Sequence, residues 1–406
     1  MSLLYYSTMQ QDNNWPDFRG HNGDGFSGAT DLPNEWNEKK NVRWKTLVPE
    51  LGWSSPVVWE NQIWLTAATE DGKEQFALCF ERTTGKLLQK ILVFKNPSPQ
   101  AFPRNNNTYA SPSPVIEKGR VYVHFGTFGT ACIDTRRFSI LWTRRDLNCQ
   151  HGQGPGSSPL LFQDKLILTY DGMDVQYVVA LEAKTGTTLW NTQRNTRFSN
   201  NDGDLHKAYT TPYLLKRGSR QELVSVGASA ACGYDPGTGK ELWRIPHPGY
   251  SNASRPIAGN GLLFLNTGFN RPELWAVKLD RPDGPTPEDV VWRYTKGVPN
   301  LSSPLLVEDL LYFVADSEVL TCLEATTGKE VYKERIGGRF YASPVYAGGL
   351  IYLFNERGKA WIVKPGRTLT TVAQNELEMG SHASPALCGK ALYVRTSTHL
   401  YCLERI

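Results

Sequence analysis

Apolar residues along this chain come in short runs, not at helical spacing, and the runs recur. The cleanest stretch reads Ser302-Ser303-Pro304-Leu305-Leu306-Val307, a polar Glu308-Asp309, then Leu310-Leu311-Tyr312-Phe313-Val314. Val319 to Glu324 follows, and Thr326-Thr327-Gly328-Lys329 leads into Glu330-Val331-Tyr332. Short apolar runs bounded by Gly, Asp and Thr mark strands and tight turns, so this stretch predicts four antiparallel strands. A proline opens the innermost strand, where a missing amide donor is tolerated.

Such prolines occur eight times: Pro56, Pro114, Pro159, Pro212, Pro256, Pro304, Pro344 and Pro385. Successive gaps are 58, 45, 53, 44, 48, 40 and 41 residues, a mean of 47. A repeat of that size, built from short strands and Gly-rich turns, predicts an all-β, eight-bladed β-propeller of four-stranded antiparallel blades. The eighth copy ends at Leu400-Tyr401-Cys402-Leu403-Glu404 without an outer strand, whereas Asn41-Val42-Arg43-Trp44-Lys45 reads as an orphan outer strand. That segment is expected to complete blade 8 and close the ring, so no long edge is left exposed. The chain then divides into an N-terminal extension over 1–40 and a propeller over 41–406.

The turn before each outer strand has its own pattern. Leu181-Glu182-Ala183-Lys184-Thr185-Gly186 leads to Trp190, and Tyr234-Asp235-Pro236-Gly237-Thr238-Gly239 leads to Trp243. Trp44, Trp142 and Trp292 hold the matching outer-strand position, and Gly328 the matching turn. These residues read as structural: one tryptophan per blade docking between sheets, over a turn fixed by its carboxylate and glycine. Cys79, Cys132, Cys322 and Cys402 share one phase of the repeat, and Ala180, Gly233 and Ala276 stand at the same place. The position therefore asks for a small buried side chain, and an odd total of seven cysteines argues against a disulfide framework.

Charge is nearly balanced, with 44 basic and 40 acidic residues, and no basic run or stripe marks a nucleic-acid groove. No apolar stretch reaches the length of a membrane-spanning helix. Met1 to Asn14 carries only Leu3-Leu4-Tyr5-Tyr6 as an apolar patch and does not read as a signal peptide.

The pattern Ala-x-x-x-Thr-Gly-x-x-x-Trp resembles the tryptophan-docking repeat of quinoprotein (pyrroloquinoline quinone, PQQ) propellers, over roughly residues 41–406. Trp15-Pro16-Asp17-Phe18-Arg19-Gly20, with Gly23-Asp24-Gly25, resembles the opening of a bacterial group of PQQ-binding-like propeller proteins. The same repeat occurs in the lipoprotein subunit of the outer-membrane barrel assembly machinery. The resemblance implies a periplasmic or extracellular location. In the enzyme members PQQ sits at the centre of one face, with calcium held by Glu, Asn and Asp, an Asp base and a stacking Trp. Many of them also carry a disulfide between adjacent cysteines. This chain has no adjacent cysteines and lacks the long insertions of the larger dehydrogenases.

Loops running from an outer strand to the next innermost strand crown one end of the channel, and long polar ones are candidate binding loops. Three stand out: 96–109 with Arg104 and Asn106, 146–156 with His151 and Gln153, and 193–209 with Asn200, Asp202, Asp204 and His206. Arg255, Asn300, Arg339 and His382 stand at equivalent points of other blades. Converging, these would form a polar mouth with several cations, suited to an anionic ligand. Asn200, Asp202 and Asp204 alternate like calcium ligands, but an Asx turn is the simpler reading because the continuation to a Glu is absent. No metal and no catalytic residue is assigned.

The expected role is a non-catalytic binding scaffold of the bacterial cell envelope. It would recognise a small anionic ligand, a saccharide or a protein segment on one propeller face, as a monomer and without a cofactor. The alternative is a PQQ- and calcium-dependent quinoprotein oxidoreductase acting on an alcohol or sugar.

Overall fold

The computed structural model describes residues 13–103 and 107–406, in which the strands form eight four-stranded antiparallel sheets arranged as blades around a central axis. Blade 6 comprises Leu305–Val307, Leu310–Val314, Val319–Glu324 and Glu330–Arg335, in the order expected from its sequence. The two middle strands of a blade are buried on both faces, which is why they read as continuous apolar runs: Leu310–Val314 is buried at every position. All seven cysteines are free thiols in the interior.

Blade 8 takes its outer strand from the other end of the chain. Val42–Leu47 pairs antiparallel with His399–Glu404, placing Trp44 opposite Cys402. Trp44 then docks on blade 1, its indole N–H donating to the Arg82 carbonyl at 3.0 Å. The same contact recurs from blade to blade: Trp142 donates to Ala183 at 2.9 Å, Trp190 to Pro236 at 3.2 Å and Trp292 to Ala325 at 3.0 Å. Each ring lies on a turn glycine of the next blade. A Cβ on Gly186 would sit 2.8 Å from the Trp142 ring, and its φ of +76° is one that glycine adopts without strain.

The expectation of a docking tryptophan in every blade needs correcting. Gln89, Tyr332 and Ala373 stand at the equivalent register positions of blades 1, 6 and 7. For blade 1 the reason lies across the interface, where Phe138 occupies the turn position that glycine holds elsewhere, with φ +57°. Its ring packs toward Trp64 of blade 1, centroids 6.0 Å apart. For blade 7 there is no turn to dock on, because blade 8 receives its outer strand from the other end of the chain. Trp243 also differs, since its N–H donates to Glu222 of its own blade at 2.7 Å.

The segment before the closing strand crosses the end of the channel where the first and second strands of each blade turn. Trp15 exchanges two backbone hydrogen bonds of 2.8 Å with Val58 in blade 1, and the Ile116 amide of blade 2 donates to Pro16. On the far side Gly25 and Ser27 bond to Tyr346 of blade 7, and the Ser27 hydroxyl reaches Leu387 of blade 8. Trp36 stacks on Phe354 at 5.7 Å and is buried.

Removing residues 1–48 should therefore strip blade 8 of its fourth strand and the channel of its plug, and abolish the cooperative thermal transition. A truncated chain that melts like the full one would overturn this account of closure.

Candidate functional site

Two rings of side chains surround the channel at the face opposite the plug, and both are set by the prolines. Strand geometry sends alternate residues to the same side, so the positions one and three before each proline face the axis. The position just before the proline is Ser or Thr in seven blades and Arg255 in blade 5. Ser55 N donates to Ser113 Oγ at 2.9 Å, Ser113 N to Ser158 Oγ at 2.9 Å and Ser158 N to Thr211 Oγ1 at 2.9 Å. After blade 5, Arg255 N donates to Ser303 Oγ at 2.9 Å, Ser303 N to Ser343 Oγ at 3.0 Å, Ser343 N to Ser384 Oγ at 2.9 Å and Ser384 N to Ser55 Oγ at 3.0 Å. These seven bonds run in one direction around the axis, and the chain of bonds breaks where Arg255 has no hydroxyl to offer Thr211.

The ring above it, three residues before each proline, is dissimilar from blade to blade: Trp53, Ser111, Gly156, Tyr209, Ala253, Leu301, Tyr341 and His382. His382 lies between two neighbours, stacked on Trp53 at 4.1 Å and on Tyr341 at 4.2 Å. The two rings and Phe18 enclose a well of about 150 Å³. Beside it opens a broader basin of about 480 Å³, lined among others by Gln153, Lys207, Tyr209, Phe269, Asn300 and Arg339.

Phe18 belongs to the plug and floors the well. Below it Arg19 donates to the carbonyls of Pro304 at 2.9 Å and Pro344 at 3.2 Å. Arg255 donates to Pro212 at 3.0 Å and to the Phe18 carbonyl, and pairs with Asp17 at 3.2 Å. The glycines of the opening motif allow this approach, for a Cβ on Gly23 would lie 2.4 Å from the Arg255 guanidinium carbon. Burial drives the Arg19 pKa down to about 9 and raises that of Asp17.

The residues singled out in the sequence are dispersed among several environments. His382, Gln153, Asp204 and Arg339 line the well or the basin, as does Asn300. Asp204 is paired with Lys207 and Asn300 with Asp316. Arg255, expected at the mouth, instead runs down the shaft, because from its ring position a long cationic chain finds the proline carbonyls and Asp17 below. His151 sits behind the mouth, 6% exposed, with Nε2 accepting the Thr127 amide at 2.9 Å and the Cys149 thiol against its ring. Asp202 caps a turn by accepting the Asp204 amide at 3.0 Å, and Asn200 accepts the Asp202 amide at 2.9 Å. His206 stacks on Phe198 at 3.8 Å. The Asn200–Asp204 loop is thus built from successive Asx turns, and no cluster of three or more His, Cys, Asp or Glu suited to a metal ion occurs among the described residues. Arg104 and Asn106 lie outside the described residues.

Sequence reasoning missed Trp53, Tyr209 and Tyr341. Their signal was a fixed offset of three residues from a proline, visible only once the prolines are superposed.

Residues 230–405, from the third strand of blade 4 to the last strand of blade 8, match the family model of the outer membrane protein assembly factor BamB. No curated protein matches the chain in sequence. Among solved structures it is similar to BamB from Moraxella catarrhalis, with TM-score 0.62 and 12% identity, covering 89% of this chain and 99% of that one. It is also similar to quinohemoprotein alcohol dehydrogenase from Comamonas testosteroni, with TM-score 0.68 and 10% identity, covering 98% of this chain and 82% of that one. A computationally designed protein, Ika8, superposes with TM-score 0.59 at 9% identity over 87% of this chain and 99% of its own. At such identities the likeness is one of fold alone.

Four histidines carry a pH signature. Burial lowers the pKa of His151, His247 and His382 from 6.5 to about 4 and that of His124 to about 3, with Arg339 adding to the effect at His382. Between those values the unfolded chain binds protons that the folded one refuses. Their contribution is complete above pH 6.5 and lost as pH falls toward 4, by up to about 1.4 kcal/mol per pH unit for each histidine. Urea unfolding across this range should show the fall, and His382→Gln should reduce its slope by one histidine's share. The chain is an eight-bladed β-propeller, and its residues 230–405 match the family model of the BamB assembly factor.

Proposed function

We propose that this protein is a non-catalytic binding scaffold of the bacterial cell envelope, and that the face carrying the well and basin receives a segment of a partner protein. The observation that carries the reading is the Trp53–His382–Tyr341 stack. Aromatic faces beside amide and cationic side chains are the surface on which protein segments dock, giving large contact area at low entropic cost. Phe269, 51% exposed on the basin wall, adds an apolar anchor, and Arg339 on the same rim offers a guanidinium to a carboxylate. The BamB match of blades 4–8 to an assembly factor supports the same class of role.

The residues present at this face do not fit PQQ. Trp53, the one indole at the mouth, has its ring occupied by His382 at 4.1 Å. The carboxylates of the adjoining basin, Asp204 and Asp316, are engaged with Lys207 and Asn300. A flat tricarboxylate would meet an occupied aromatic face and, among the described residues, no His, Cys, Asp and Glu cluster suited to a metal ion.

Titration with PQQ, with and without calcium, followed by tryptophan fluorescence, should give no saturable quenching. Calcium-dependent quenching at micromolar PQQ, lost in Trp53→Ala, would overturn the reading in favour of a dehydrogenase. On a peptide array, Phe269→Asp combined with Arg339→Glu should weaken the bound peptides at least tenfold, as expected for loss of an anchor. Unchanged binding would move the docking face elsewhere.

A further inference from the structure

The serine–threonine ring holds unspent hydrogen-bond donors. Each of Ser55, Ser113, Ser158, Thr211, Ser303, Ser343 and Ser384 accepts one amide hydrogen, and none donates its hydroxyl hydrogen to an acceptor among the described residues. All seven are more than nine-tenths buried, between 1% and 4% exposed. Six of them, all but Ser303, line the well above Phe18. A hydroxyl has one donor and two acceptor positions, so an oxygen that already accepts an amide presents its hydrogen as the remaining strong group. The blade symmetry sets these hydroxyl residues around one small volume.

Three buried guanidinium groups stand around the ring, against the two carboxylates of Asp17 and Asp24. Arg395 is fully buried and donates from Nη1 to Ser54 O at 3.2 Å, Ser54 Oγ at 2.6 Å and Thr66 O at 2.9 Å, with no carboxylate partner among the described residues. Ser54 is the chain neighbour of ring residue Ser55. Arg19 likewise bonds only to carbonyls, those of Pro304, Pro344 and Asp24, and the first two prolines follow ring residues Ser303 and Ser343. Arg255 stands in the ring itself and is the one of the three paired with an acid, Asp17. A buried guanidinium without a counter-ion is costly, as at Arg395, and desolvation holds both Arg395 and Arg19 down at about 9, the nearby Asp24 carboxylate only partly offsetting it at Arg19. An anion in the well would offset that field, whereas a cation would oppose it.

We propose that the hydroxyl ring is an anion site, taking a carboxylate or a small oxyanion into the well between Phe18 and the Trp53–His382–Tyr341 stack. The well of about 150 Å³ equals roughly five water volumes, enough for such an anion and part of its shell. Neutral hydroxyls make it a site that exchanges its ligand, since no charged group bonds the anion directly. Two sources share this chemistry, a free oxyanion and a carboxylate borne by a bound segment. The site is defined by the ring alone and stands whether or not the basin docks a protein.

The test uses the full chain, with sodium sulfate and sodium acetate titrated calorimetrically against sodium chloride at constant ionic strength. Crystals soaked in selenate provide an anomalous signal that locates the anion. Saturable heat is expected with one or both salts, with selenium density inside the ring. Ser158→Ala removes a ring donor, and Ala253→Trp covers the well from the half-buried upper ring without touching the hydroxyls. Each should weaken binding at least tenfold. Tighter acetate points to the carboxylate of a bound segment, and tighter sulfate to a free oxyanion. Absence of saturable heat from both salts, equal binding by Ala253→Trp, or a well holding only water in the selenate crystals would each overturn the proposal.

Discussion

Eight sheets set around an axis turn the free edge of every innermost strand toward a common shaft, and each edge carries backbone groups that need partners. Much of the centre of this protein answers that need. The Ser and Thr hydroxyls take the amides just before the prolines, from one blade to the next. The crossing segment pairs with the edges of blades 1, 2 and 7. The side chains of Arg19, from that segment, and Arg255 take the carbonyls of Pro212, Pro304 and Pro344, which the segment's backbone does not bond. Buried backbone groups are almost always satisfied, and here three chemically different devices divide the task.

The same division explains why the two ends of the channel differ so much. The plugged end is closed by backbone pairing and by bonds between guanidinium, carboxylate and carbonyl, and the glycines of 20–25 allow close backbone approach. At the other end the rings present donors and aromatic faces without closing over them. The same frame carries both ends, its blades joined by docking indoles near the outer strands and by the hydroxyl ring at the axis. A computationally designed chain sharing the fold underlines that the frame carries no function by itself.

The fold was legible because it repeats. Eight prolines, a recurring turn and a small residue opposite each docking position are independent signals with one period, and blade 6 shows every strand where its residues place it. The orphan strand at Val42 was legible for the complementary reason, since blade 8 was one strand short. The site was less legible because function lies where the copies differ. Arg255 looked like a mouth cation from its position alone, and only the Pro212 carbonyl and Asp17 below it explain its descent into the shaft. His151 and His206 were drawn in by residue type, yet their rings are spent on Thr127, Cys149 and Phe198. Trp53 and Tyr341 escaped notice because a stack across blades joins residues 288 and 329 positions apart with respect to Trp53, beyond any local pattern.

The pairing of Val42–Leu47 with His399–Glu404 has a consequence for how the molecule is made. During synthesis the first of these strands leaves the ribosome more than three hundred residues before its partner exists. Until then it is an unpaired edge segment. Folding can proceed blade by blade, but the circle is completed by one late, long-range event. A nascent chain of this design is exposed to pairing with a second copy for most of its synthesis, and the interval between these two strands measures how long it needs protection.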